Sequence, residues 1–546
     1  MALHLSTKLP VSRSAIITVP YFNMWTIWWN SDRALHGFNH YWQAPIFFPE
    51  QEAFAFSEPQ PMTLLVAPII WLTASRVLAY NVYLLGSLVL NGLVAFLLLR
   101  LAKLAWYPAL IGGAAMVILP VVHWQIDVLQ LIPLWGILWT WIALLRFGRS
   151  PDWKSGLQCG LAFSATCFLS LHHALFLAIL SLPAALILVP LWRDARYWIG
   201  LFIAFVMLCL MTGPLILGMN SILSEHQFVR PQDLVEQLSA TPASYLTSPG
   251  KPIVDFKLEL PASTLQLGQG WGMYLFAIIG IVDGLTRRER RHWTSFILLQ
   301  LTLAALLSGG PLLQLGNWQP WNSLMQIVPG LQQVRSVFRF GYFVQIAVVL
   351  MAAQGFQALM VFQRRKMISK RCYRRARCII YLTGMLLVFE QSPLRVILAR
   401  VEEVDQQTDW IAFLRDQTSP DRSVACIPFA PGDLTQDFQQ TVRWMYAGTF
   451  HEVPLVNGYS GFLPESDEQL RDELSTGFPS MKALSMFSQL GVKFVVVQRD
   501  RIAASQISAT DTSPFRLIPV CSSPTGIDIY HLTQESTQPS VEHGAE

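Results

Sequence analysis

The chain has 546 residues, of which 53% are hydrophobic and only 14% charged, and its formal net charge at pH 7 is +4. Soluble domains usually carry about 25% charged residues, and the mean hydropathy of this chain is +0.39. These values exclude an ordinary soluble protein. They also argue against a nucleic-acid partner, which needs a basic face on a folded surface, because the basic residues here lie between apolar runs.

The first 78 residues contain no apolar run long enough to cross a membrane, since a span needs about 20 residues. The stretch at 62–75, MTLLVAPIIWLTAS, has only about 14 residues, a length typical of an interfacial or re-entrant helix. Residues 1–78 are therefore predicted to form one segment that contains an interfacial helix at 62–75.

Ten apolar runs follow, and each is predicted to be a transmembrane helix within one bundle at 79–392. The runs lie at 79–99, 104–122, 126–146, 157–171, 173–192, 197–219, 271–286, 293–309, 340–361 and 378–392. Three of them, 157–171, 271–286 and 378–392, are short for a span.

Basic residues alternate between the loops of this bundle. The segment between Phe362 and Cys378, QRRKMISKRCYRRAR, carries eight Lys and Arg and no acid. With four further clusters, it places 19 of the 39 basic residues in every second loop. Lys and Arg are retained on the cytoplasmic side, so the opposite loops and the C-terminal domain are predicted to be extracytoplasmic.

The same alternation places residues 1–78 outside, because the run at 79–99 must enter from that side. Two explanations remain open for an outer N-terminal segment. Either a first helix is missing before Met1, or the run at 79–99 inserts with its N-terminus outside. The first explanation is favoured.

The remaining outer parts are two loops and a globular domain. The loops lie at 220–269 and 310–339. Residues 393–532 mix buried strands such as SVACIPF and VKFVVVQ with amphipathic helices, which predicts a small α/β domain. The last residues, 533–546, are polar and predicted to be disordered.

Several stretches resemble bacterial polytopic GT-C-type membrane glycosyltransferase-like proteins. These are YFNMWTIWWNSDRALHGFNHYW, FFPE, FAFSEPQP, AYNVYLLGSLVLNGLVAFLLLR, VRSVFRFGYFVQIAVVLMAAQGFQAL and VNGYSGFLPE. The resemblance implies a GT-C-like helical membrane bundle with an extracytoplasmic α/β domain. It also implies transfer of a sugar from a polyprenyl-phosphate donor to an unknown acceptor, on the outer face of the inner membrane.

One position departs from the family pattern. The acid that usually begins the first outer loop is replaced here by Val19 or Pro20. If the chain is active, another carboxylate must act as the base that takes a proton from the acceptor. Asp32 and Glu58 in the first outer segment, and Asp127 at the outer end of a span, are the catalytic candidates. The alternative for each is a solvated loop acid or a helix cap.

A site for the donor needs cations that bind its phosphate and aromatic rings that hold its prenyl or sugar group. Arg335 and Arg339 are four residues apart, so on a helix they would share one face, and a guanidinium binds phosphate through two parallel hydrogen bonds. Trp318 and Trp321 are predicted to hold a prenyl or sugar group beside them. His123 could contact the phosphate. The alternative is that these residues only anchor the chain at the membrane interface.

No cofactor is identified for certain, although a divalent cation could assist at the phosphate. The sequence has no Cys/His metal spacing and no nucleotide-binding glycine motif. Two other functions remain open: a non-catalytic scaffold of the same family, and a transporter or flippase for a lipid-linked sugar.

Overall fold

The structure is a computed structural model of the chain. It describes residues 4–12, 15–188, 194–225, 230–249, 265–366, 370–391, 396–402, 404, 408–417, 422–475, 477–502, 504–509 and 512–534.

The N-terminal part and the bundle contain one strand and sixteen helices within these described ranges. They are β1 Lys8–Val11, α1 Thr18–Leu35, α2 Ala67–Thr73, α3 Arg76–Leu101, α4 Trp106–Val117, α5 Pro120–Trp124, α6 Trp135–Arg149, α7 Trp153–Leu169, α8 Leu171–Leu188, α9 Ala195–Glu225, α10 Gln232–Gln237, α11 Pro242–Leu246, α12 Trp271–Thr286, α13 Arg291–Ser308, α14 Pro320–Ile327, α15 Gly341–Lys366 and α16 Lys370–Glu390.

The C-terminal part follows with five strands and five helices in the portion that the structure describes. They are β2 Ile397–Arg400, α17 Asp409–Asp416, β3 Ser423–Ile427, α18 Gln439–His451, α19 Glu465–Ser475, α20 Met481–Gln489, β4 Val492–Gln498, α21 Ala504–Ala509, β5 Phe515–Ser522 and β6 Ile527–Gln534.

Each of the ten predicted apolar runs overlaps a helix in the described part of the chain, which confirms a helical membrane bundle. Residues 126–134 of the third run form turns rather than an α-helix, and residues 189–192 and 392 of two other runs lie outside the described ranges. Among the described residues, five helical stretches are long and apolar enough to cross a membrane. These are Arg76–Leu101, Trp106–Trp124, Leu129–Arg149, Ala195–Ser224 and Val337–Arg364. The described residues also contain shorter apolar helices, such as Trp271–Thr286 and Cys378–Glu390. The protein is therefore a multi-pass membrane protein.

Small residues let the bundle helices approach closely. A Cβ added at Gly280 of α12 would strike the backbone oxygen of Met351 in α15, and one at Gly355 would strike that of Phe276. Between α7 and α9, a Cβ on Gly160 would lie 2.6 Å from the carbonyl oxygen of Ala204. Such close packing is typical of helix pairs in membranes, where van der Waals contact drives association.

The chain divides into two compact units. The first consists of 1–59, 64–80 and 398–546, and the second of 60–63 and 81–397. The sequence suggested separate N-terminal and C-terminal parts, whereas the structure joins 1–59 and the C-terminal domain in one unit. Hydrophobic periodicity shows which face of a helix is buried, but it does not show which distant segment covers that face.

In the first unit, α1 packs on α18 and its neighbours. Tyr21 makes an edge-to-face contact with Tyr446, with ring centroids 5.5 Å apart, and Phe22 makes one with Tyr459 at the same distance. The Thr18 hydroxyl donates to the carbonyl of Thr435 at 2.7 Å. The aromatic face of α1 is therefore buried against the C-terminal domain.

That domain is built on a four-stranded mixed sheet in the order β3-β4-β6-β5. Strands β3 and β4 are parallel and joined through helices, whereas β6 pairs antiparallel with both β4 and β5. This arrangement confirms the predicted α/β fold. Strand β6 extends to Gln534, two residues into the predicted disordered tail, and residues 535–546 lie outside the described ranges.

The predicted outer loops of the second unit contain short helices. Helix α9 continues to Glu225, and α10 and α11 lie further along the predicted loop at 220–269. Residues 226–229 and 250–264 of this loop lie outside the described ranges. The predicted loop at 310–339 contains α14 and three 3-10 turns, the last of which, Val337–Phe340, leads directly into α15.

Candidate functional site

Three chain turns meet at one end of the bundle in the second unit. They are the α5 turn, the junction between α7 and α8, and the 3-10 turn before α15. Three ring pairs join them, with centroid distances of 5.7 Å for Trp124 and Phe338, 3.9 Å for Phe176 and Phe340, and 5.5 Å for His173 and Tyr342. Residues from three separate parts of the chain are therefore in contact at this end of the bundle.

Charged side chains of opposite sign lie near a phenol at this position. Asp127 and Arg339 both lie close enough to Tyr342 to interact electrostatically with its hydroxyl. Arg339 is only 9% exposed, and Tyr342 and His173 are fully buried. We call Asp127, His173, Arg339 and Tyr342 the Asp127–Arg339 cluster.

A buried amide fixes the turns that carry the cluster. The Gln345 side chain donates from Nε2 to the carbonyl of Leu267 at 2.8 Å, and its Oε1 accepts from the backbone N–H of Val121 at 3.1 Å. The Gln269 amide donates to the backbone oxygen of Gln345 at 3.0 Å. Because buried backbone groups need hydrogen-bond partners, these bonds hold α5 and the start of α15 together.

A second amide fixes the start of α6, just after Asp127. Asn91 of α3 accepts from the backbone N–H groups of Leu134 and Trp135 at 2.7 and 2.9 Å, and it donates to the carbonyl of Ile132 at 2.8 Å. It thus satisfies donors that the first turn of a helix leaves open. The turn that contains Asp127 therefore lies between α5 and the start of α6, which the Asn91 side chain caps.

The structure brings Asp127 and Arg339 into one cluster, but it does not place Arg335 with them on a helix face. Helix α15 begins only at Gly341, and Arg335 lies in the irregular segment before the 3-10 turn Val337–Phe340. The predicted spacing of one α-helical turn is therefore wrong for this pair. Arg335 is half-buried, whereas Arg339 is buried.

The predicted tryptophans have different environments. Trp321, at the start of α14, is 2% exposed, whereas Trp318 is 54% exposed and donates its indole N–H to the Ser323 hydroxyl at 2.9 Å. His123 lies in the α5 turn beside Trp124, and its Nε2 lies 3.1 Å from the carbonyl oxygen of Val117. The roles of these three residues in substrate binding stay predictions.

Asp32 lies in the first unit, near the end of α1. Its carboxylate accepts from Nε of Arg33 at 2.8 Å and lies 3.6 Å from Nδ1 of His36. The Arg33 guanidinium lies over the Trp29 ring, 4.5 Å from its centroid. The charge of Asp32 is thus balanced by a neighbouring arginine.

Another carboxyl, which sequence reasoning missed, lies near Asp32. Partial burial raises the pKa of the Glu452 carboxyl, and the negative charge of Asp32 raises it further, while Arg76 opposes the shift. Glu452 follows α18 with a left-handed backbone, φ 61°. No local signal marks it, because only the fold brings it near Asp32.

Glu58, the third catalytic candidate, is also in the first unit and is 8% exposed. Across the described ranges, no group of three or more His, Cys, Asp and Glu side chains could hold a metal ion. A divalent cation, which the sequence leaves possible, would therefore not find three such protein ligands together among these residues.

Comparison with known proteins gives structural matches only. No protein-family model matches the sequence, and no curated protein matches it. The structure is similar to the mycobacterial arabinofuranosyltransferase AftD, with a TM-score of 0.55 and 12% identity over 96% of this chain. A second match, at a TM-score of 0.40 and 12% identity, is ArnT from Cupriavidus metallidurans bound to undecaprenyl phosphate, and it covers 97% of this chain and 95% of ArnT.

The chain spans 42% of the length of the AftD chain, so the likeness concerns less than half of that larger protein. At 12% identity, such a likeness shows that the two chains share a fold and nothing more. With its apolar helices and its C-terminal α/β domain, the chain has the GT-C-like membrane glycosyltransferase fold that its sequence resemblance predicts.

Proposed function

We propose that this chain is a membrane glycosyltransferase that transfers a sugar from a polyprenyl-phosphate donor. The observation that carries the proposal is the Asp127–Arg339 cluster, in which a carboxylate and a buried guanidinium both lie near one phenol at the end of the bundle. The match to an arabinofuranosyltransferase supports the same class of reaction.

Each charged group has a role in such a transfer. The Asp127 carboxylate takes the proton from the acceptor hydroxyl, whose oxygen forms the new bond to the anomeric carbon of the sugar. The bond between that carbon and the phosphate oxygen breaks, and the polyprenyl phosphate leaves with the electron pair. The Arg339 guanidinium binds the phosphate as its negative charge develops.

The placement of basic residues supports an outer-face reaction. Helix α15 begins beside the cluster and ends at Lys366, within the basic segment. The cluster and the basic loops are thus at opposite ends of this helix. Because Lys and Arg favour the cytoplasmic side, the reaction takes place at the outer face of the inner membrane, and the C-terminal domain is extracytoplasmic.

Binding of undecaprenyl phosphate to the full chain in nanodiscs tests the proposal. Replacing Arg339 by Gln should weaken binding at least about ten-fold, because a hydrogen bond to a charged group contributes about 1.5–3 kcal/mol and 1.4 kcal/mol is one decade. Arg339→Lys should restore only part of the affinity, because Lys lacks the planar fork. Asp127→Asn should retain binding and lose sugar transfer.

The matched control is Arg288→Gln. Arg288 is exposed in the turn between α12 and α13, in one of the basic loops. The Arg288→Gln variant should bind undecaprenyl phosphate with the same affinity as the unmodified chain. Equal affinity in Arg339→Gln and Arg288→Gln would contradict the phosphate role of Arg339, and a chain that binds no polyprenyl phosphate would favour the scaffold function instead.

A further inference from the structure

Glu390 is a buried carboxylate of the second unit that lies outside the Asp127–Arg339 cluster. It is the last residue of α16 and is 4% exposed. Its carboxylate accepts from the backbone N–H groups of Trp271 and Gly272, the first two residues of α12. The first N–H groups of an α-helix have no partner within the helix and carry partial positive charge. Glu390 therefore caps the N-terminus of α12.

Two glycines leave room for this carboxylate. Gly270, just before α12, has φ 91°, and a Cβ there would lie 2.6 Å from Cδ of Glu390. A Cβ on Gly272 would lie 2.6 Å from Oε2 of the same carboxylate. Both distances are shorter than van der Waals contact, so a larger residue at either position would push Glu390 away from the helix end.

The capped turn of α12 holds Gln269, the residue just before Gly270. The hydroxyl of Tyr274, in the first turn of α12, accepts from the backbone N–H of Gln269 at 3.3 Å and donates to the carbonyl of Tyr245 at 2.6 Å. Gln269 is 1% exposed, and its side chain donates to the backbone oxygen of Gln345 in α15. The position of the α12 start therefore decides where the Gln269 amide meets α15.

Gln345 lies next to the cluster on α15. It follows Tyr342 by three residues, so the two side chains are neighbours on the helix surface. Arg339 lies in the 3-10 turn that leads directly into α15 at Gly341. A Cβ on Gly341 would lie 3.0 Å from Cδ1 of Leu267, so the start of α15 packs closely on the segment that precedes α12. A shift in that segment would therefore move the phenol of Tyr342 and the guanidinium of Arg339.

We propose that Glu390 is a positioning residue of the Asp127–Arg339 cluster. Its carboxylate fixes the first turn of α12, that turn fixes Gln269, and Gln269 holds α15 through the backbone of Gln345. Glu390 thus sets the geometry with which the cluster meets the donor phosphate, a purpose that rests on the function proposed above. Because a misplacement of about 1 Å can cost about 100-fold in rate, a carboxylate that acts only through other residues can still affect the reaction.

Fluorine NMR of the full chain in nanodiscs tests the positioning without substrate. Genetically encoded 3-fluorotyrosine replaces Tyr342 alone. Glu390→Leu removes the acceptor at the α12 start, whereas Glu390→Gln keeps an oxygen that can accept the same N–H groups. The matched control is Gln354→Leu, because Gln354 is also fully buried and donates to α12, at the Gly280 carbonyl 2.7 Å away. It lies about 18 Å further along α15 than Tyr342.

We expect Glu390→Leu to shift the fluorine resonance, Glu390→Gln to restore most of its position, and Gln354→Leu to leave it in place. Affinity for undecaprenyl phosphate should fall at least about two-fold in Glu390→Leu, the low end of the coupling between connected residues, and Glu390→Gln should recover it. An unmoved resonance in Glu390→Leu, or equal shifts in Glu390→Leu and Gln354→Leu, would overturn the proposal.

Thermal unfolding in detergent verifies that each variant is folded. If Glu390→Leu does not fold, Gly272→Ala takes its place, because the new Cβ displaces the carboxylate, and an unmoved resonance there would also overturn the proposal. Where the unmodified chain binds undecaprenyl phosphate, unchanged affinity in the folded variant would do the same. A chain that binds none contradicts the proposed function alone, since the resonance still decides whether Glu390 positions Tyr342.

Discussion

His451 is a buried histidine whose chemistry is separate from the proposed reaction. It is the last residue of α18, is fully buried, and accepts the backbone N–H of Val453 at Nδ1, 3.0 Å away. Burial lowers its pKa to about 3, below the ordinary value of about 6.5. The folded chain therefore keeps this imidazole neutral where the unfolded chain would be protonated.

We expect this difference to make the first unit less stable in acid. Below about pH 6.5 the unfolded chain binds a proton that the folded chain excludes, so the free energy of unfolding falls by about 1.4 kcal/mol per pH unit from pH 6.5 towards 3. His451→Gln should reduce this slope, measured by thermal unfolding in detergent at pH 7.5 and 5.5. His40→Gln is the control, because His40 is exposed. Parallel pH profiles for His451→Gln and His40→Gln would contradict the prediction.

Individual site residues could be predicted from the sequence, but their grouping could not. Asp127 and Arg339 stand out because ionisable residues at span ends are uncommon. Their proximity depends on how α5 packs against the start of α15, which no local pattern encodes. Glu452 and Tyr342 were missed for the same reason. Both acquire their charged neighbours only through distant segments of the chain.

For the helices, the sequence predicted more than it did for the grouping of the site residues. Within the described residues, each of the ten apolar runs overlaps a helix, because length and apolar composition are local properties of the chain. The spacing argument for Arg335 and Arg339 was wrong because it assumed that α15 starts earlier than Gly341. The existence of the helices could therefore be predicted from the sequence. The residue at which α15 begins, which decides whether Arg335 and Arg339 share a helix face, could not.

The packing of α7 against α9 gives a prediction at this scale. Gly160→Ala should lower stability by about 1–3 kcal/mol, because the new Cβ would overpack a close helix pair and would lie 2.6 Å from the Ala204 carbonyl oxygen. Gly213→Ala, in α9, is the matched control, since nothing lies within 4 Å of its Cβ position. Thermal unfolding of the two variants in detergent measures the difference, and equal stability would show that α7 and α9 do not pack this closely.

The orientation of the whole molecule rests on charge alone, and it is open to a direct test. In intact cells, a membrane-impermeant maleimide should label Met481→Cys in the C-terminal domain, above the labelling of the unmodified chain. It should spare Arg288→Cys in the basic turn, because the positive-inside rule places that turn in the cytoplasm. Both side chains are exposed, so accessibility within the fold is matched. Labelling in the reverse pattern would invert the proposed sidedness.

The first unit is assembled from both ends of the described chain, and this has a consequence during synthesis. Helix α1 packs on α18 and its neighbours through the buried rings of Tyr21 and Phe22. At roughly 5–20 residues per second, the ribosome makes α18 tens of seconds after α1. We therefore expect the face of α1 that carries Tyr21 and Phe22 to stay uncovered by the C-terminal domain while the bundle is inserted.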